Sequence, residues 1–178
     1  MKRFKYFIVL SIAILSFSVV DANAQYANSP LEKTIQKKLL KLPYYGVFDH
    51  ITFKLDGDTV TLYGHVANAP NRKSAQRYVE DVPGVRRVVN EIEVLPVSNF
   101  DNNIRRDLYQ SISNYGGLSR YLWTVNPSVR LIVERGHVTL EGYVGNKGDY
   151  DTMNIVARGV HGVFSVKNNL IIDNDKAR

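Results

Sequence analysis

The sequence contains no cysteine at all. That removes disulfides, thiolate metal sites, a thiol nucleophile and a lipidated N-terminal cysteine. A small domain without such staples has to stand on its own hydrophobic core. Histidine is scarce, at four residues, and none of His50, His65, His137 or His161 sits in a nucleophile-elbow or paired-ligand motif. No catalytic residue, cofactor or metal is therefore expected, and the expected class is a non-enzymatic one. Beyond the first twenty residues there is also no apolar run long enough to span a bilayer.

The one long apolar run is N-terminal. "MKRFKY" supplies positive charge, "FIVLSIAILSFSVV" is apolar, and "DANAQ" places small residues at Ala22 and Ala24. This is the pattern of a cleaved secretory signal over residues 1–24, with the mature chain starting at Gln25. The expected location is outside the cytoplasm, without a lipid anchor. Losing Lys2, Arg3, Lys5 and Asp21 takes the formal net charge from +6 to +4, enough to permit an anionic partner without demanding one.

What fills the rest is a repeat. "ITFKLDGDTVTLYGHVAN" at 51–68 lies over "VRLIVERGHVTLEGYVGN" at 129–146, and "VPGVRRVVNEIEV" at 82–94 over "VHGVFSVKNNLII" at 160–172. The offset is constant, so Gly64 falls on Gly142, Gly84 on Gly162 and Asn90 on Asn168. These four glycines read as structural. Gly64 and Gly142 are in phase with apolar positions, so the expectation is that they face the helices and permit close backbone approach. A repeat this long is a small domain in itself.

Each copy reads as αββαβ. In "SPLEKTIQKKLLKL", Ser29, Pro30 and Glu32 form a capping box. Leu31, Ile35, Leu39 and Leu42 make an apolar stripe, with Lys33, Lys37 and Lys41 opposite. Two alternating strands follow across "DGD", a hairpin turn lacking the other ligands of a calcium loop. A helix over "APNRKSAQRYVEDV" and a strand through Val88, Asn90, Ile92 and Val94 complete the copy. The predicted fold class is α+β, two tandem modules, each a three-stranded sheet with two helices on one face. Predicted bounds are 28–96 and 104–174, with 97–103 as linker.

These features together resemble the BON domain: the signal sequence, the paired αββαβ copies, the V-T-L-x-G strand and the V-x-G-V turn before the last strand. The resemblance implies a periplasmic envelope protein associated with osmotic or envelope stress, which binds anionic phospholipid surfaces peripherally and performs no catalysis. Envelope proteins are the alternative partners, through a protein-interaction or chaperone-like role. The Gly-x-x-Gly of "GNKG" leaves a strand and has no counterpart in the first copy, so nucleic acid is not an expected partner.

Two features suit a membrane. The opening helices are basic, with Lys33, Lys37 and Lys41 in one copy and Arg105 and Arg106 in the other. The helix-to-strand connections are aromatic: "LPYYGVF" holds Tyr44, Tyr45 and Phe48, and "YGGLSRYLWTVNP" holds Tyr115, Arg120, Tyr121 and Trp123. Such rings also plug the open end of a small core, a role that suits Tyr44 better than Trp123. The second connection is longer by about nine residues with no evident structural need, which makes copy two the expected contact site. The lipid-binding candidates are Arg105, Arg106, Arg120, Tyr121, Trp123, Lys33, Lys37 and Lys41.

Overall fold

A computed structural model describes residues 29–123 and 126–177. The expected signal segment, 1–24, lies outside the described residues. Helix α1 (Pro30–Leu39) opens copy one, and its Ser29 cap is the reciprocal capping box expected. The Glu32 amide donates to Ser29 Oγ at 3.2 Å, and the Ser29 amide to Glu32 Oε2 at 2.6 Å. Strands β1 (His50–Asp56) and β2 (Thr59–Val66), helix α2 (Ala69–Glu80), and strands β3 (Arg87–Asn90) and β4 (Glu93–Val94) follow. Copy two runs α3 (Asn99–Ser113), a 3-10 turn (Leu118–Leu122), β5 (Val129–Glu134), β6 (His137–Val144), α4 (Lys147–Arg158) and β7 (Ser165–Ile172).

In each sheet the second strand is central. It pairs antiparallel with the first and parallel with the last. Apolar residues of both helices and of alternate strand positions meet on one face: Ile35, Val60, Leu62 and Val79 in copy one, Leu108, Leu131, Leu140 and Met153 in copy two. The α+β class and the two tandem modules are therefore as predicted.

The final strand differs between copies. In copy two it is continuous, whereas in copy one it breaks at Glu91–Ile92, although β3 and β4 keep one register against β2. The repeated asparagine explains how strand and helix stay together. Asn90 Nδ2 donates to the Arg72 carbonyl at 2.9 Å, and Asn168 Nδ2 to that of Tyr150 at 3.3 Å. Each Oδ1 accepts the amide two residues on, at 3.2 Å.

Two local expectations change. The segment 97–103 is mostly helix, not linker, because Ser98 caps α3 by accepting the Asp101 amide at 3.2 Å. Gly64 and Gly142 do not make room for a helix. Both have φ +110°, and a Cβ there would stand 2.0 Å from the His50 or Ser128 carbonyl oxygen, on the neighbouring strand or just before it. Glycine is needed for close approach within the sheet.

Candidate functional site

The expected site residues divide sharply by burial. Lys33 and Lys37 are exposed, as a helix with its apolar stripe turned inward requires, and so is Lys41 in the turn that follows. Arg106 is exposed on α3, its side chain 60% accessible, with Nη2 donating to Asn103 Oδ1 at 2.7 Å. Trp123 is 69% exposed just past the 3-10 turn. All five are open to a surface, although Arg106 Nε also lies 3.7 Å from Asp107 Oδ1.

The other three are not. Arg105 is only 7% exposed. Its Nη1 donates to Asn102 Oδ1 at 2.7 Å and its Nη2 to the Val133 carbonyl at 2.6 Å. The basic pattern at 105–106 therefore supplies one surface cation, because the helix turns the first of the two against β5. Tyr121 is 1% exposed and belongs to the core of copy two. Arg120 is half exposed but already engaged, with Nη2 2.5 Å from Asp149 Oδ2.

The longer connection also has a structural role that its sequence does not announce. Leu118, Tyr121 and Leu122 of the 3-10 turn enter the core. The Tyr121 hydroxyl donates to Asp149 at 2.5 Å and accepts the Gly145 amide at 3.0 Å. In copy one the equivalent amide, of Ala67, donates to Asp49 Oδ1 at 2.7 Å. One backbone donor at the end of the central strand is thus satisfied by a buried carboxylate in one copy and a buried phenol in the other. The aromatic roles are also reversed relative to expectation. Tyr44 is 84% exposed and plugs nothing, while Tyr45 is largely covered.

The connection in copy one serves as the seam between copies. The Leu131 amide donates to the Val47 carbonyl at 2.7 Å, and Arg130 Nη1 to the Gly46 carbonyl at 2.7 Å. Arg130 also covers the Tyr45 ring, and Phe48 packs edge-on to Tyr109. Burial pushes the Asp49 carboxyl up, against the pull of its amide donors and of Arg130. Burial also lowers the pKa of Arg130, while Tyr45 and Asp49 raise it. Sequence reasoning missed this seam. The signal for it was a mismatch between copies: Arg130 and Ile132 stand where copy one has Thr52 and Lys54, and both are buried on the outward side of β5.

Beside the seam lies a cavity of about 760 Å³. Val47 and Phe48, Leu95 and Val97, and Tyr109 and Trp123 supply apolar wall, with Arg105 and Arg106 among the polar lining. A second aromatic group lies elsewhere: Phe100 and Phe164, both exposed, have ring centroids 5.7 Å apart. Among the described residues no group of three or more His, Asp or Glu could hold a metal ion. No helix there is long and apolar enough to cross a membrane.

Comparison with known proteins supplies a family. Residues 28–96 and 100–174 each match the BON domain, together covering most of the chain. No curated protein matches the sequence. Among solved structures, the C-terminal domain of CdsD, a structural protein of the type III secretion system of Chlamydia trachomatis, is 15% identical with a TM-score of 0.29. That match covers 82% of this chain and 98% of that one. A second CdsD structure is 13% identical, also with a TM-score of 0.29, over 82% of this chain and 93% of its own.

Proposed function

The chain belongs to the BON domain family, a non-catalytic binding type associated with membranes and phospholipid, and carries two copies of the domain. From that premise we propose that it is a periplasmic envelope-maintenance protein of the osmotic-stress kind, which docks reversibly on anionic phospholipid surfaces. The observation that carries this reading is the exposure of Trp123 at the mouth of a cavity that Arg106 also lines. An aromatic ring suits the bilayer interface, and a cation near an anionic surface contributes about 1 kcal/mol. Lys33 and Lys37 on α1, and Lys41 just beyond its end, can add to that charge. With Arg105 and Tyr121 buried and Arg120 paired, fewer groups engage the membrane than the sequence alone promised, so the affinity is weak and salt-sensitive.

Flotation with anionic and zwitterionic vesicles, at low and high salt, tests this. Binding to anionic vesicles alone, lost at high salt and on Arg106→Glu, is the expected result. No flotation under any condition would sink the membrane reading. One observation favours the alternative, an envelope-protein partner: Phe100 and Phe164 form an exposed pair that does not line the Trp123 cavity. Partner capture that survives Arg106→Glu but not Phe164→Ser would support that second reading.

A further inference from the structure

The cavity between the copies has the size of a small-molecule site, about 760 Å³. Its walls are largely apolar, and its charged lining residues are Arg105 and Arg106, with no acid among them. The mouth is wet at one apolar residue in particular, since Val97 is 98% exposed. A pocket with apolar walls and positive charge on the side formed by α3 selects a ligand of the opposite build.

Arg105 supplies a second, independent indication. Both hydrogen bonds of its terminal nitrogens go to neutral acceptors, Asn102 Oδ1 and the Val133 carbonyl. Its Nε is buried with no hydrogen-bond partner among the described residues. A buried guanidinium with an idle N–H is costly unless something anionic approaches. Burial accordingly pushes its pKa down, with Asp101 and Asp49 countering only as neighbouring charges.

We propose that this cavity binds a single-chain anionic amphiphile, its acyl chain along the apolar walls and its carboxylate or phosphate head at Arg105 and Arg106. One chain fits the volume better than a diacyl lipid. Such binding needs no bilayer, so it stands or falls apart from the vesicle reading.

Trp123 lines the cavity and is the only tryptophan in the sequence, which makes it a reporter. The test titrates the protein expressed from the full sequence with dibromostearate and with a dibrominated lysophosphatidylglycerol, both below their micelle concentrations. The brominated chain quenches tryptophan on contact. Saturable quenching, with one ligand per chain by native mass spectrometry, is expected, and the tighter of the two ligands identifies the head group. Ala67→Phe fills the cavity from an exposed lining position and should weaken binding about tenfold with an unchanged unfolding midpoint. Arg105→Gln should do likewise. Should that buried change unfold the protein, Arg106→Glu at an exposed position gives the same reading. Quenching that never saturates, wild-type affinity in Ala67→Phe, or equal affinity for an uncharged dibrominated monoacylglycerol would each overturn the proposal.

Discussion

Arg130 lies over the ring of Tyr45, its guanidinium carbon 4.5 Å from the ring centroid, and the two residues belong to different copies. The same guanidinium donates to the Gly46 carbonyl at 2.7 Å. The Tyr45 hydroxyl, in turn, accepts the Ile51 amide at 3.0 Å at the start of the first sheet. A single arginine of β5 therefore holds the connection that leads into β1, so the two modules are coupled through the end of one sheet and the edge of the other.

Replacing that arginine tests the coupling. Arg130→Met keeps apolar volume but removes a buried hydrogen bond and the contact with the ring, and it leaves Asp49 without its nearby cation. The expected loss is about 2–3 kcal/mol by urea denaturation. Hydrogen exchange at the Leu131 amide, which bonds Val47 across the seam, should accelerate more than exchange in β2. Equal protection of Leu131 in both proteins would mean that the seam does not depend on Arg130.

His50 makes the stability pH-dependent with a definite sign. Its imidazole is pushed below the ordinary 6.5, chiefly by burial, with Arg130 and His65 acting in the same direction and Glu141 against. A depressed histidine contributes stability that is present above its unfolded value and lost as pH falls through the folded one. Melting curves should show wild type losing stability as pH drops from 7 through the range below about 6.5. His50→Gln should flatten that part of the profile. An unchanged slope in the variant would assign the acid sensitivity to another group.

The paired glycines give a symmetric prediction. At Gly64 and at Gly142, φ is +110° and an added Cβ would meet a carbonyl oxygen at 2.0 Å, a backbone atom that cannot swing aside. Strain and overlap together should cost about 3 kcal/mol or more for Gly64→Ala, and a similar amount for Gly142→Ala. Thermal unfolding of the two variants checks this. A mild effect in one copy alone would show that the repeated strands do not carry the same constraint.

The sequence made the layered fold legible because its signals are periodic and doubled. Ser29 and Glu32 mark a helix start and Ile35 and Leu39 its buried side, and from the first strand of each copy onward the pattern repeats at a fixed offset. The candidate site was less legible, since a helix carrying two adjacent arginines must turn them to different sides. Arg105 went to the Val133 carbonyl, and only Arg106 to solvent. The seam was hidden for a related reason. Its residues, Tyr45, Asp49 and Arg130, are joined across long sequence separations, and only the departure of one copy from the other, Thr52 against Arg130, hinted that an outward position had become an interface.

Two neighbouring aromatics should separate fold from function. Tyr121 sits in the core, and its hydroxyl joins Asp149, Arg120 and the Gly145 amide. Tyr121→Phe leaves the Gly145 amide without that acceptor and should cost about 1–3 kcal/mol. Trp123, two residues on, is mostly exposed, so Trp123→Ala should change stability by no more than about 0.5 kcal/mol. Vesicle flotation should respond in the opposite order. Trp123→Ala gives up an interfacial ring and loses most binding to anionic vesicles, whereas folded Tyr121→Phe keeps it. If Trp123→Ala floats as well as wild type, the ring is not the membrane contact, and the exposed lysines of α1 become the surface to test next by Lys33→Glu and Lys37→Glu.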